Sequence, residues 1–238
     1  MSKSYFAVQQ ADRAADIYIF GDIVPFEWLD GDVSANGIRR QIEGLDVDEI
    51  RVHIDSYGGA VSEGWAIYNA LRQHPARVTS YGDGFVASAA LFPFLAGDER
   101  VASNLSAYYL HQVMVSAEGY AKDLRAAADE AELMTEVGIN AFVDRTGMSA
   151  EEVRALMETE TWLSPEQALN LGLATSMVAD RSVPVAQAAK RTIMQRVLAT
   201  PVQTATNPPV EPKPAVESKP AAKPEPDNPI NPIMKLFL

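Results

Sequence analysis

Apolar residues along this chain follow two alternating rhythms. Short runs at Ile17–Phe20, Ile50–Ile54 and Arg77–Tyr81 carry β-branched and aromatic residues and are too brief for helices, which predicts strands. Between them the spacing lengthens. Ile38–Gly44, and the stretch from Val61 through Gly64 to Leu71, place apolar side chains at helical intervals. Strands alternating with helices across short connections predict an α/β fold with right-handed crossovers. A further β-prone run, Ala107-Tyr108-Tyr109-Leu110-His111-Gln112, follows.

The second half reads differently. Over Gly119–Arg145 the residues Leu124, Ala127, Ala128, Ala131, Met134, Val137, Ile139 and Phe142 recur at roughly helical intervals. Lys122, Arg125, Asp129, Glu130 and Glu132 lie between them, predicting one long helix. Its length exceeds what a compact lid needs. Gly147 then turns the chain, and Ser149 with Glu152 three residues on forms a capping box that opens another helix. After about Thr200 both rhythms stop. Pro201–Pro232 is dense in proline, with Lys, Glu and Ala between, and has too few apolar side chains to bury a core; it predicts an extended, disordered linker. Large apolar residues return at Ile233, Met234, Leu236 and Phe237, as a docking peptide or the start of a further domain.

Composition narrows the classes. With 238 residues, 47% of them hydrophobic, the chain can hold a sizeable core. It has no cysteine, so neither a disulfide framework nor a thiolate metal site is expected, and three dispersed histidines without ligand spacing argue against zinc. A net charge of -12 disfavours binding to nucleic acid through its phosphates. No secretory pattern opens the sequence and no apolar run is long enough to span a bilayer, so a cytoplasmic enzyme without a membrane partner is expected.

Candidate chemistry centres on Gly82–Ala90, where a lone serine, Ser88, sits at the passage from a Gly-rich turn to an apolar helix. A hydroxyl there would meet free backbone N–H groups and the helix dipole, as a nucleophile in acyl transfer requires. The same small residues would also serve as a packing point between helix and strand. Upstream, Asp55-Ser56-Tyr57-Gly58-Gly59 follows a strand, and adjacent glycines either present N–H groups to a ligand or make a plain turn. Of the histidines, His111 ends a strand; His53 lies within a strand pattern and His74 in a polar turn, as structural or solvated residues.

Taken in order, strand, Gly-Gly, helix, strand, Gly-x-x-x-Ser, helix, strand and His, the chain resembles the ClpP-like serine protease family over roughly residues 16–178. The matching pieces are the Asp-Ser-Tyr-Gly-Gly turn, Gly84-Phe85-Val86-Ala87-Ser88-Ala89-Ala90 and Leu110-His111-Gln112. A fourth is Thr161-Trp162-Leu163-Ser164-Pro165-Glu166-Gln167-Ala168, leading to Leu171-Gly172-Leu173. The resemblance implies a ClpP/crotonase-like fold of stacked ββα units whose long helix is the handle through which homo-oligomeric rings stack. It implies Ser88 as nucleophile, His111 as general base, and the N–H groups of Gly59 and Ala89 as the oxyanion hole, with Gly58 a lesser donor and no cofactor or metal.

Two departures bear on chemistry. The family's usual aspartate is matched by Glu160, with Glu158 nearby as the alternative, and Val113 stands where housekeeping members have a proline. Together with the proline-rich tail, the glutamate makes the chain similar to the phage and prophage prohead protease branch. Members of that branch cleave capsid or scaffold proteins within assembling heads in the host cytoplasm. The alternatives are a housekeeping ClpP-type subunit working with an unfoldase ATPase; a crotonase-like acyl-CoA enzyme using Glu160 as base; a non-catalytic assembly protein; and a Ser–Lys dyad recruiting Lys122. The expected organisation is an N-terminal segment at 1–15, a protease domain at 16–199 and the linker at 200–238.

Overall fold

β1 (Ala14–Phe20), β2 (Glu49–Ser56) and β3 (Arg77–Ala87) run parallel and side by side, joined by α1 (Ala35–Ile42) and α2 (Val61–Gln73). The computed structural model describes residues 13–29 and 31–178. Most of the expected N-terminal segment, the end of the expected protease domain and the whole proline-rich linker lie outside the described residues. β4 (Glu99–Ala102) and β7 (Ser176–Met177) extend the sheet in the order β1-β2-β3-β4-β7, again parallel. Period-2 alternation decides which face is buried: Ile17 and Ile19 of β1 and Ile50, Val52 and Ile54 of β2 are fully covered. They share one core with Ile38 and Ile42 of α1, Ile67 and Leu71 of α2, and the short helix α3 (Leu91–Leu95). Each such large side chain contributes about 1.5–3 kcal/mol. On the sheet's other face, His53 lies stacked between Tyr18 and Tyr81, ring centres 4.9 and 4.8 Å away, with Nδ1 2.7 Å from Asp83.

β3 is longer than the sequence pattern predicts. The glycines expected to form a turn at 82–84 lie within the strand. Glycine is needed there for close approach: a Cβ on Gly84 would fall 2.4 Å from Asp55 Oδ1, which accepts the Phe85 N–H at 2.9 Å. The first part of β3 pairs with β4 and its last residues pair with β5 (Ala107–Leu110), which pairs in turn with the antiparallel β6 (Thr161–Leu163). One strand thus delivers the chain from the main sheet to the edge where Ser88 and His111 lie.

The long helix, α4 (Ala121–Thr146), is present, but its two halves differ. Thr135, Gly138, Ile139 and Phe142 are buried against the domain, whereas residues 121–130 are exposed except for the half-buried Ala127. Gly147, at φ 81°, ends it, and Ser149 caps α5 (Ala150–Glu158): Ser149 Oγ accepts from Glu152 N while Glu152 Oε2 accepts from Ser149 N. α6 (Pro165–Asn170) precedes β7.

A buried guanidinium ties the last elements together. Arg100, 4% exposed, donates to the carbonyls of Leu173, Gly97, Arg145 and Gly172 at 2.8–3.2 Å. Arg145 donates in turn to the carbonyls of Leu95 and Gly97. Burial, and then repulsion from Arg145, push Arg100 down to about 10, so it is still charged at neutral pH and is solvated by carbonyl dipoles instead of water. The carbonyls it takes include one left open at the end of α4. Among the described residues no helix is long and apolar enough to cross a membrane, and no cluster of His, Cys, Asp and Glu could hold a metal ion.

Candidate active site

Ser88 follows the last residue of β3 and begins a single 3-10 turn, Ser88–Ala90, that runs into α3. Its backbone is at φ 55°, a left-handed conformation that is uncommon for a residue with a side chain. The strand-to-helix corner leaves the Ser88 side chain on the lining of a cleft. His111 lies just beyond β5, the strand paired with the end of β3. Strand pairing therefore brings the two side chains together, and His111 Nε2 is 2.7 Å from Ser88 Oγ.

The Gly-Gly turn packs directly beneath Ser88. A Cβ on Gly58 would fall 2.6 Å from the Ala87 carbonyl and 2.8 Å from Ser88 Cβ, so only glycine lets the turn come this close. Ile23 holds the turn from the other side: its N–H donates to Gly58 O and its carbonyl accepts from Ala60 N, both at 2.8 Å. In such a parallel bridge the flanking residues make the bonds, and the N–H of the central residue, Gly59, points the opposite way. Gly59 N–H makes no hydrogen bond to any described residue. Gly58 N–H is already taken by Ser56 Oγ at 3.1 Å, which removes it as a donor to ligand. Ala89 N–H lies in the first turn after the strand, where no earlier carbonyl reaches it.

Ser88, His111, Gly59 and Ala89 all line one cleft of about 460 Å³, within the size range of small-molecule and peptide-side-chain sites. Its floor is apolar, formed by Leu91, Phe92, Met134, Phe142 and Met157. Met134, one of the apolar residues at helical intervals on α4, faces into this cleft. Val113 N donates to Thr135 Oγ1 at 3.0 Å, so the segment after His111 is fixed to α4 along the cleft wall.

Glu160 is placed nearby but not on the imidazole. Held at φ 49° just before β6, it accepts from Tyr109 Oη at 3.3 Å; among the described residues no hydrogen bond or ion pair joins it to His111. Burial, then the Glu160 carboxylate, raise the Tyr109 hydroxyl above the ordinary phenol range. Glu158 lies exposed at the end of α5, and Lys122 lies exposed in the first turn of α4, outside the cleft. His74 Nδ1 accepts from Ala76 N in its own turn.

The sequence pattern did not flag the aromatic wall of the cleft. Tyr109 stacks on His111 and on Trp162, Trp162 meets Phe85 edge-on, and Phe85 stacks on Tyr57 beside the Gly-Gly turn. Each of the four aromatic residues comes from a different stretch of chain, Tyr57 after β2, Phe85 in β3, Tyr109 in β5 and Trp162 in β6, so no spacing in the sequence links them.

A hydroxyl on an imidazole, beside two unclaimed backbone N–H groups at the head of an apolar cleft, is the equipment of a serine hydrolase. Comparison with known proteins gives the particular family. The family model described as Clp protease matches residues 31–181. The ATP-dependent Clp protease proteolytic subunit 2 of Treponema pallidum is 35% identical over 164 residues, spanning 65% of this chain and 82% of the relative. The subunit of the same name from Synechococcus sp. is 30% identical over 184 residues, 73% of this chain and 93% of the relative. A solved point mutant of ClpP1 from Listeria monocytogenes superposes with TM-score 0.59 at 25% identity, over 70% of this chain and 92% of that one. The chain belongs to the Clp protease family of serine peptidases.

Proposed function

We propose that the chain is a serine endopeptidase in which Ser88 attacks the peptide carbonyl, His111 takes its proton and later returns it to the leaving amine, and Glu160 is the acid that supports the imidazolium. The oxyanion would be received by the N–H groups of Gly59 and Ala89. The observation that carries this reading is the 2.7 Å contact between His111 Nε2 and Ser88 Oγ at the head of the cleft. The chemistry needs no cofactor.

The substrates we propose are capsid or scaffold proteins during phage head assembly, with residues 16–199 as the protease domain and 200–238 as a tether that captures them. Glu160 in the acid position and the proline-dense sequence after Thr200 support this reading. A second reading has its own support: the relatives named above are ATP-dependent proteolytic subunits, which favours a chain that works with an unfoldase ATPase. The two part on the tail and on ATP. A chain ending at Thr200 should hydrolyse a short fluorogenic peptide at the full-length rate, while only the full-length chain cuts a co-assembled scaffold protein, without ATP. Scaffold cleavage that is unaffected by the truncation, or that requires an ATPase and nucleotide, would overturn the head-assembly reading.

The protein would work as a stacked homo-oligomer held by α4, as the exposure of residues 121–130 and of Leu133 and Val137 supports. Leu133 and Val137, four residues apart on one face of α4, are 64% and 47% exposed, and a neighbouring subunit would cover them together. Replacing both with Glu should dissociate stacked rings in sedimentation velocity while leaving thermal stability near wild type. A wild-type monomer at micromolar concentration would contradict the proposal.

A further inference from the structure

We propose that Tyr109 is the residue that positions His111, and that Glu160 acts on the imidazole through Tyr109 without touching it; this rests on the Ser88–His111 reading of the site. His111 uses Nε2 on Ser88, and its other nitrogen makes no hydrogen bond to any described residue. Something else must hold the ring, because the outer torsion of a histidine is broad and does not fix its plane. Tyr109 lies two residues before His111 along extended backbone, so both side chains leave the strand on the same face. Their rings lie 5.3 Å apart at 25°.

Tyr109 is itself clamped. It sits directly opposite Trp162 in the antiparallel β5–β6 pair, and their rings stack at 4.5 Å and 23°. Its hydroxyl donates to Glu160 at 3.3 Å. The imidazole is therefore the end of a fixed stack, Trp162, Tyr109, His111, instead of the middle of a hydrogen-bonded chain. In the ordinary triad the carboxylate orients the imidazole and stabilises the imidazolium as it forms. Here the first task falls to the tyrosine ring by contact. The second falls to its π face, which attracts the cation, with the carboxylate at the hydroxyl enriching the ring.

The test is a double-mutant cycle on the full-length protein, Tyr109→Phe, Glu160→Gln and both together, with Tyr109→Leu alongside. It is read by kcat and KM on a fluorogenic peptide, by the rate of fluorophosphonate labelling at Ser88, and by melting temperature. Tyr109→Leu should lower kcat and the labelling rate by about 10²-fold, the lower end of what an effective general base contributes, with KM and melting temperature near wild type. Tyr109→Phe keeps the stack and should recover most of that loss. Glu160→Gln should lower kcat in the wild-type background and cost nothing further in the Tyr109→Phe background. An equal cost of Glu160→Gln in both backgrounds would show that the carboxylate acts directly and would overturn the proposal. So would a folded Tyr109→Leu protein with wild-type kcat. A wild-type protein that does not label at Ser88 would remove the active-site reading itself, a failure distinguishable from either of those.

Discussion

Ser88→Ala and His111→Ala, each folded as the wild type, will lose about 10⁴- to 10⁶-fold in kcat, and the double variant will lose little more than either alone. A serine hydroxyl is a poor nucleophile until a base accepts its proton, so removing either partner of the 2.7 Å contact removes the same step. Folding should survive because the one side-chain hydrogen bond seen for each is the bond to the other, and His111 is only the terminal ring of the stack on Tyr109. Alanine also inherits the φ 55° corner at position 88 at about the cost serine already bears. Steady-state hydrolysis of a fluorogenic peptide, with circular dichroism as the folding control, measures this. Additive losses, or activity within tenfold of wild type in His111→Ala, would show that the two do not act as a unit.

Gly59→Ala is expected to have the second largest effect, at least about 10²- to 10³-fold in kcat, the usual worth of one oxyanion donor. At φ 140° the new Cβ would fall 2.1 Å from the Ile23 carbonyl oxygen and 3.0 Å from its carbon. Backbone does not yield as a flexible side chain would, so the turn must move and take the Gly59 N–H out of line with Ser88. The strap formed by Ile23 N–H and carbonyl would loosen at the same time, and melting temperature should fall with activity. Ser62→Ala, exposed near the turn and outside both the bridge and the cleft lining, is the control that keeps both. Activity within tenfold of wild type in Gly59→Ala would exclude this N–H from the reaction.

Much of the site was legible in the sequence because strand order and a few glycines determine it. The small residues around Ser88 and the strand ending in His111 marked two positions, and the family resemblance paired them; β3 and β5 lie side by side and bring those residues together. Other features were hidden for physical reasons. Gly82 and Gly84 read as a turn because glycine frees the backbone, yet here they make room within a strand, for Tyr108 and for Asp55. β4 went unnoticed because Glu99-Arg100-Val101-Ala102 lacks an apolar run; its arginine is buried by carbonyls that come from segments up to 73 residues away. On α4 helical spacing placed Met134 and Val137 on one stripe, but only tertiary packing decides that Met134 lines the cleft and Val137 meets water. The partner of Glu160 was equally invisible. Position alone pointed to His111, and the stacking of Tyr109 on Trp162 turns the carboxylate to a phenol instead.

Fluorophosphonate labelling followed by intact mass and peptide mapping tests the central claim without any assumption about substrate. The full-length protein should take up one adduct, on the peptide that contains Ser88; Ser88→Ala should take up none, and His111→Ala should label only very slowly. An adduct on another residue, or equal labelling of Ser88→Ala and wild type, would contradict the assignment of Ser88 as the nucleophile.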